Sequence, residues 1–256
     1  RYCRTGIRGL NFPGTPEGGV LAQEIGLDTP FTYQKLVLDG GFRQEPLMYA
    51  PPVFREDSVD VMQNLMRAHP FATLITVEDG RPNANHIPFA LHIEDGSEFG
   101  ILRGHVARPN PVWSEFDAAI EVLVVFQGPH HYVTPSWYPS KAEHGKVVPT
   151  WNYAIVHAQG PMRTVEDPDW LLAHLHTMTD GQETHRDTPW KVDDAPSDYI
   201  EKMVRGIVGL EIPITRLDGK WKMSQNRNAA DRAGVVAGLA AEETEIAAQV
   251  AGNIPD

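Results

Sequence analysis

Hydrophobic and polar positions alternate most regularly between Val147 and Gly160, in the segment VVPTWNYAIVHAQG. Successive side chains of a strand point to opposite faces, so the segment predicts a β-strand with two unlike faces. One face is small and apolar, and it consists of Asn152, Ala154, Val156 and Ala158. The other carries two aromatic rings and an imidazole, and it consists of Trp151, Tyr153, Ile155 and His157. This second row suits a flat ligand, a subunit interface or an ordinary packed core.

Further strands are predicted on both sides of this segment. Phe71 to Val77 is rich in β-forming residues, and Asp79-Gly80 after it is a strong hairpin-turn signal. The other predicted strands are Asn83 to Ile93, Glu98 to Arg103, Ile120 to Gln127 and Val208 to Leu217, with a loop at Gly104 to Pro111. Ile120 to Gln127 is apolar on both faces and therefore reads as a central strand. Pro88 places its own strand at an edge or a bulge.

Helical spacing is found in four segments. Apolar residues recur every three or four positions from Asp57 to Ala68, with Asp57 or Ser58 available as the N-cap. Asp167-Pro168 begins a second helix, because proline is favoured at the first helical position. The remaining helices are predicted at Ser197 to Arg205 and at Asn226 to Val250. Short strands with helices after them predict a mainly β, α+β fold, an antiparallel barrel with helices packed around it.

Residues 1–47 differ from the rest of the chain, because glycine and proline interrupt any long period there. We expect an irregular N-terminal arm over residues 1–47 and a single folded domain over residues 48–256.

Charge and composition narrow the classes of function. The chain has 34 acidic and 22 basic side chains and a net charge of −12, so its average field repels nucleic acid and anionic membranes. No apolar run has the length of a transmembrane helix, and the N-terminus lacks the apolar core of a signal peptide. We therefore expect a cytoplasmic protein with no membrane association. Cys3 is the only cysteine, so an intrachain disulfide and a CxxC zinc site are excluded.

Two clusters of donor side chains are candidates for binding a phosphate. The first lies at the end of the strand predicted at Glu98 to Arg103, and contains Arg103, His105, Arg108 and Asn110. Arginine presents a fork of donors that matches phosphate oxygens. The second precedes the terminal helix, whose N-terminus adds exposed N–H groups, and contains Lys222, Ser224, Gln225, Asn226 and Arg227. Each cluster also has an interpretation without a ligand. The first is then a solvated arginine loop, and the second is the cap of the terminal helix.

Eleven histidines invite a metal or haem interpretation. HExxH motifs, carboxylate and histidine pairs at metal-ligand spacing and cysteine partners are absent from the sequence, so we predict no metal site. The GxSxG elbow, the P-loop and a GxGxxG after a strand are absent too. Cys3 lies in the arm, which argues against a thiol nucleophile.

Six motifs, taken in order, resemble one known family. They are HPFATLIT, NHIPFAL, LRGHVARPNPVW, GPHHYVTPSWY, VPTWNYAIVHAQG and KWKMSQNR. The sequence resembles the PaiB family of FMN-binding negative transcriptional regulators over about Met48 to Ala241. The resemblance implies an antiparallel Greek-key split β-barrel of the FMN-binding group, and a homodimer with flavin in clefts at the dimer interface.

The resemblance also assigns roles to residues. It implies that the loop from Arg103 to Asn110 binds the flavin phosphate, with Arg108 the strongest candidate. Ala107 stands where many split barrels have Ser or Thr, which is a departure from the usual phosphate loop. The strand from His86 to Phe89 would run past the flavin ring. Thr150, Trp151 and Asn152, together with Lys222 to Arg227, would close the pocket.

Three functions remain open from the sequence. The first is a transcriptional regulator acting directly or through flavin chemistry, although the charge and the lack of a helix-turn-helix argue against direct DNA binding. The second is a flavin-dependent oxidoreductase acting on a small molecule, with His131 or His157 as general acid. The third is a haem-binding or haem-degrading protein on the same barrel.

Overall fold

The computed structural model describes residues 48–256, so the predicted arm lies outside the described part of the chain. The strands are β1 (Arg55–Glu56), β2 (Phe71–Glu78), β3 (Arg81–Pro88), β4 (Ala90–His92), β5 (Ile101–Ala107), β6 (Val122–Val133), β7 (Thr150–Gly160), β8 (Arg163–Val165), β9 (Ile207–Pro213) and β10 (Arg216–Lys222). The α-helices are α1 (Val59–Ala68), α2 (Ser140–His144), α3 (Pro168–Glu183), α4 (Ser197–Arg205), α5 (Ala229–Ala241) and α6 (Glu245–Gly252).

The strands form two sheets in which all neighbours are antiparallel. The six-stranded sheet has the order β1-β10-β7-β6-β2-β3, and the four-stranded sheet has the order β4-β5-β9-β8. Consecutive strands β3 and β4 lie in different sheets, and so do β7 and β8 and also β9 and β10. The two sheets therefore face each other without closing into one ring, and the fold is the predicted split β-barrel with peripheral helices.

The core lies between the two sheets. Leu74, Val124, Phe126 and Val156 reach it from the six-stranded sheet, and Leu102, Leu210 and Ile212 from the four-stranded sheet. All seven side chains are fully buried, and such a side chain contributes about 1.5–3 kcal/mol to folding. Gly104 is required here, because a Cβ at that position would lie 2.9 Å from the Phe89 ring.

Strand β7 has the two unlike faces that its alternation predicts. Asn152, Ala154, Val156 and Ala158 are buried against the core. Trp151 is 52% exposed on the opposite face. Since β10, β7 and β6 are neighbours in the sheet, the side chains that point outward from these three strands form one continuous surface.

Several local predictions are confirmed. The side chains of Ser58 and Asp167 cap α1 and α3. Asp79 and Gly80 have φ values of 47° and 73° and form the hairpin turn between β2 and β3. Strand β6 is central in its sheet, and β3, which contains Pro88, is an edge strand.

The element boundaries of four segments were predicted wrongly. The predicted loop Gly104 to Pro111 begins as strand, since β5 continues to Ala107 by pairing with β9, about a hundred residues away in sequence. The strands predicted at Asn83 to Ile93 and Val208 to Leu217 both divide where the chain changes sheet. The terminal helix also divides: Glu243 adopts a left-handed φ of 52°, and Thr244 caps a new helix, α6.

No helix within residues 48–256 is long and apolar enough to cross a bilayer.

Candidate functional site

The outer face of the six-stranded sheet places aromatic rings beside lysines. Lys222 lies opposite Tyr153 in the register of β10 and β7, and Tyr132 lies opposite Trp151 in the register of β6 and β7. The Trp151 ring centroid is 6.0 Å from that of Tyr132 and 6.2 Å from that of His130. Trp151 and Tyr132 are 52% and 43% exposed, so they present flat apolar surface to solvent.

Lys220 and Lys222 are held in place on this face. The Lys222 Nζ donates to the Trp151 carbonyl oxygen at 2.8 Å and also to the Thr150 hydroxyl. The Lys220 Nζ donates to the Tyr49 carbonyl oxygen at 2.9 Å and lies 5.4 Å from the centroid of the Tyr153 ring. Period-two spacing in β10 puts both ammonium groups on one face.

Arg227 completes a cluster of three cations, and we call Lys220, Lys222 and Arg227 the cationic cluster. Burial lowers the pKa of Lys222, and the positive charges of Lys220 and Arg227 lower it further. Among the residues that the structure describes, none of the three has a carboxylate oxygen within 4.0 Å. Adjacent positive charges without a counter-charge favour an anion, so this is the electrostatic signature of an anion site.

The loop after β10 is built by the other predicted residues of this segment. The Asn152 Nδ2 donates to the Ser224 Oγ at 3.0 Å, and both residues are buried. Ser224 has a left-handed φ of 61°, which this bond helps to hold. The Gln225 side chain bonds the backbone at Trp221 and Met223, both at 2.6 Å, and Asn226 is exposed in the same loop. These side chains shape the loop that carries Arg227, whose guanidinium carbon lies 4.7 Å from the centroid of the buried Tyr138 ring.

Arg103 and His105 lie elsewhere, on the outer face of the four-stranded sheet beneath α3. The Arg103 Nε donates to Glu211 Oε2 at 2.7 Å and its Nη2 to Glu94 Oε1 at 2.8 Å. Glu211 is also bound by Arg163. We call Arg103, Arg163, Glu94 and Glu211 the arginine network. Burial raises the pKa of Glu211, but the hydrogen bonds and charges of Arg103 and Arg163 outweigh burial and hold the pKa below its usual value.

The guanidinium group of Arg108 is engaged within the chain. Its Nε and Nη2 donate to the carbonyl oxygens of Arg205 and Ile207 at 2.9 and 3.1 Å, and its Nη1 donates to Glu166 Oε2 at 2.6 Å. Asn110 bonds the Asn85 side chain and caps the turn at Val112. The phosphate role of this segment stays a prediction, and binding a phosphate there would require Arg108 to exchange these partners.

The three remaining predicted histidines divide between two faces. His86, whose Nδ1 is 3.1 Å from the Thr73 hydroxyl, and His157 lie on the outer face of the six-stranded sheet. Burial lowers the pKa of His157, and Asp218 opposes this shift. A register shift between Gln127 and His130 turns His131 to the other face, where its Nδ1 donates to the Tyr132 carbonyl oxygen at 2.6 Å. Only His157 of the two predicted acids shares a face with the cationic cluster, and both catalytic roles stay predictions.

Sequence reasoning missed two features. Lys220 was not included among the site residues, although the Lys-Trp-Lys spacing in a strand predicts that Lys220 and Lys222 share a face. His174 was not included either, yet it is buried and its Nε2 lies 3.1 Å from His105 Nδ1. The spacing of Trp170 and His174, four apart in the predicted helix, indicates that these two rings stack, but it does not indicate the contact with His105. Within residues 48–256, no group of three or more His, Cys, Asp or Glu side chains is arranged to hold a metal.

The chain is similar to several known proteins. Residues 48–216 match the family model described as "Putative FMN-binding domain". The chain is 36% identical to "Protease synthase and sporulation protein PAI 2" of Bacillus subtilis, over 82% of this chain and 97% of that protein. It is 38% identical to an uncharacterized protein of Emericella nidulans, over 75% of this chain and 90% of that protein. Among solved structures, it is similar to the FAD and haem binding protein from Mycobacterium smegmatis, with a TM-score of 0.49 and 18% identity over 72% of this chain and 80% of that one. The chain therefore belongs to the FMN-binding domain family and is a homologue of the Bacillus subtilis PAI 2 protein, as its motifs predicted.

Proposed function

We propose that the protein binds FMN on the outer face of the six-stranded sheet, with the FMN phosphate at the cationic cluster of Lys220, Lys222 and Arg227. The observation that carries this proposal is the lack of a carboxylate partner for these three cations among the described residues, in a chain of net charge −12. A phosphate dianion would supply the missing counter-charge through charge-assisted hydrogen bonds. The Thr150 hydroxyl, beside Lys222, adds a neutral donor.

The rest of this face fits a flavin ring. Trp151 and Tyr132 offer exposed flat surface, and Tyr153 lies next to them on β7. FMN, when bound, supplies hydride or single-electron transfer. His157 is on the same face, and its lowered pKa keeps the imidazole neutral near pH 7, so that it can accept a proton from a donor on this surface. We therefore assign proton transfer to His157 rather than His131, in an oxidoreductase that acts on a small molecule.

A second copy of the chain is proposed to cover this face. Phe71 is 68% exposed, and half-buried Ile75, Leu123, Val125 and Ile155 lie on the same side of the sheet. An exposed apolar surface of this kind is typical of a subunit interface. We expect a homodimer by analytical ultracentrifugation, and we expect Val125→Glu to dissociate it, because the substitution buries a charge at the interface. A monomer at all concentrations would refute the dimer.

We propose that, as a regulator, the protein acts on transcription through flavin chemistry and does not bind DNA directly. Three cations make a small footprint in an acidic chain, whereas direct DNA binding by phosphate contacts needs more clustered Lys and Arg. We expect no sequence-dependent retention of promoter DNA at low salt. Retention that depends on the DNA sequence would instead support direct repression by DNA binding.

Absorption and titration test the cofactor. The purified protein, after addition of FMN, should show the absorption bands of bound oxidised flavin. A Soret band would identify haem in its place. In a calorimetric titration, Lys222→Ala should weaken FMN binding by about 1.5–3 kcal/mol, the scale of a charged hydrogen bond.

Arg108→Ala is the matched control, since Arg108 already bonds two carbonyl oxygens and Glu166. Its FMN affinity should stay within about 0.5 kcal/mol of the unsubstituted protein, the usual range for surface substitutions. If Arg108→Ala weakens FMN binding and Lys222→Ala leaves the affinity unchanged, the phosphate site lies instead at the segment from Arg103 to Asn110.

A further inference from the structure

A small cavity lies between α3 and the outer face of the four-stranded sheet. Its volume is about 70 Å³, and it is lined by His92, Arg103, Trp170, Ala173, His174 and Thr177. The Trp170 ring forms one wall: it stacks on His174 with ring centroids 5.3 Å apart, and it leaves room for no side chain at Gly209 beneath it. This cavity is on a different sheet from the cationic cluster.

Two ring nitrogens of the lining residues are buried without a hydrogen-bond partner in the described part of the chain. They are the Nε2 of His92 and the Nδ1 of His174. His174 is 3% exposed, and its other nitrogen, Nε2, lies 3.1 Å from His105 Nδ1. Buried polar atoms are satisfied in native proteins in the great majority of cases. Two such exceptions beside one cavity therefore indicate that something polar fills it.

The hydrogen-bond donors around the cavity suit an anion. Arg103 uses Nε and Nη2 on Glu211 and Glu94, while its Nη1 makes no hydrogen bond within residues 48–256. Both of these carboxylates are already bound by Arg103, and Glu211 also by Arg163, so their charges are matched. Burial, followed by the proximity of His105, His92 and Arg103, lowers the pKa of His174 to about 3. Burial also lowers the pKa of His92, against the opposing charges of Glu94 and Glu211. Both imidazoles are therefore neutral near pH 7, and their N–H groups, with the Nη1 of Arg103, can donate to a negative guest.

We propose that this cavity binds a small, singly charged anion, a carboxylate or oxoanion of about three or four heavy atoms, the size that about two water volumes allow. The Nδ1–H of His174 and the Nε2–H of His92 donate to it. His105 Nδ1 then donates to His174 Nε2, which fixes the tautomer of His174. Trp170 and Ala173 exclude larger and more hydrated guests.

Thermal unfolding and NMR of the histidine rings test the site in the full chain, with sodium formate and sodium nitrite as probes. Sodium chloride at equal ionic strength controls for screening. We expect one of the probes to raise the Tm in a saturable way, since a ligand that binds only the folded state stabilises it. The ring signals of His174 and His92 should move with the same dissociation constant. Equal effects of all three salts would overturn the proposal.

Two substitutions test whether the two histidine nitrogens bind the anion. His174→Phe keeps a ring on Trp170 and removes both nitrogens, and His92→Leu removes the second donor without altering α3. Each should weaken binding of the probe at least about tenfold, the loss expected for one charged hydrogen bond. His144→Gln, at an exposed position on α2, should bind as tightly as the unsubstituted protein. Unchanged affinity in His92→Leu, or a crystal grown in the probe that shows only ordered water bridging the two nitrogens, would refute the anion.

Discussion

The outer faces of the two sheets treat their basic side chains in opposite ways. On the four-stranded sheet, Arg103 and Arg163 converge on the fully buried Glu211 in the arginine network. On the six-stranded sheet, Lys220 and Lys222 share a face with no carboxylate between them. Both regions are rich in cations, but only in the second do the cations lack carboxylate partners among the described residues. A cluster of basic residues therefore predicts an anion site only when it is known which of them are already paired with carboxylates.

The difference has a thermodynamic origin. A buried ion pair offsets the loss of hydration of both charges, so removing one partner is strongly destabilising. Cations that remain near solvent, as in the cationic cluster, keep much of their hydration, so the folded protein tolerates them without a bound ligand. We therefore expect substitutions in the arginine network to change stability and substitutions in the cationic cluster to change binding.

The largest effect is expected for Glu211→Gln, which leaves Arg103 without its buried partner. The free energy of unfolding should fall by about 3 kcal/mol in urea titrations, with FMN affinity unchanged. Glu166→Gln is the control, because the Arg108–Glu166 pair is 38% and 56% exposed at its two side chains and should contribute at most about 1 kcal/mol. Equal losses in the two variants would contradict the contrast between the sheets.

Tyr153→Glu would make the cationic cluster resemble the arginine network, because position 153 lies opposite Lys222 and its ring lies 5.4 Å from the Lys220 Nζ. The new carboxylate should compete with the FMN phosphate and weaken FMN binding by about 2 kcal/mol. Tyr153→Gln, of similar size but neutral, should retain more of the affinity. Calorimetric titration of the two variants checks this, and identical affinities would show that charge is not the cause.

His174 makes the stability of the four-stranded side depend on pH. Its pKa is about 3 in the folded protein against 6.5 for the free side chain, so below pH 6.5 the unfolded chain takes up a proton that the folded chain does not. This contribution to stability is therefore full above pH 6.5 and falls by about 1.4 kcal/mol per pH unit as the pH drops toward 3. Chemical unfolding of the unsubstituted protein and His174→Phe from pH 7 to 5 should show a steeper decline in the former. Parallel declines would refute this role.

The smallest effect concerns salt. Ion pairs between solvent-accessible charges are screened, so raising the ionic strength should weaken FMN binding by about 0.5 kcal/mol for a few-fold change. The same change should leave the arginine network almost unaffected, because buried pairs are screened less. FMN titrations and urea unfolding at two salt concentrations compare the two regions directly. FMN affinity that rises with salt would exclude an electrostatic phosphate site.

The sequence predicts what depends on nearby residues. The two faces of β7, the caps at Ser58 and Asp167 and the turn at Asp79-Gly80 follow from local patterns, and the structure confirms them. The proximity of Lys222 to Thr150 was predicted only through the family motifs. Partners distant in sequence were not predictable: Arg103 meets Glu211 108 residues further on, and His105 meets His174 69 residues further on. Sequence pattern alone therefore could not separate the paired arginines from the unpaired lysines.

The register shift in β6 has one further consequence. Gln127 lies opposite Ile155, but His130 lies opposite Tyr153, so β6 contains one residue more than its partner over this interval. Side chains in a strand alternate, and that single extra residue decides which of two neighbouring imidazoles, His130 or His131, stands beside Trp151. A regular ladder from Gln127 onward would place His130 opposite Asn152 and His131 opposite Trp151, so the bulge is what keeps His130 on the outer face. The bulge therefore decides the chemistry of this surface through backbone register alone, with the same side chains in the strand.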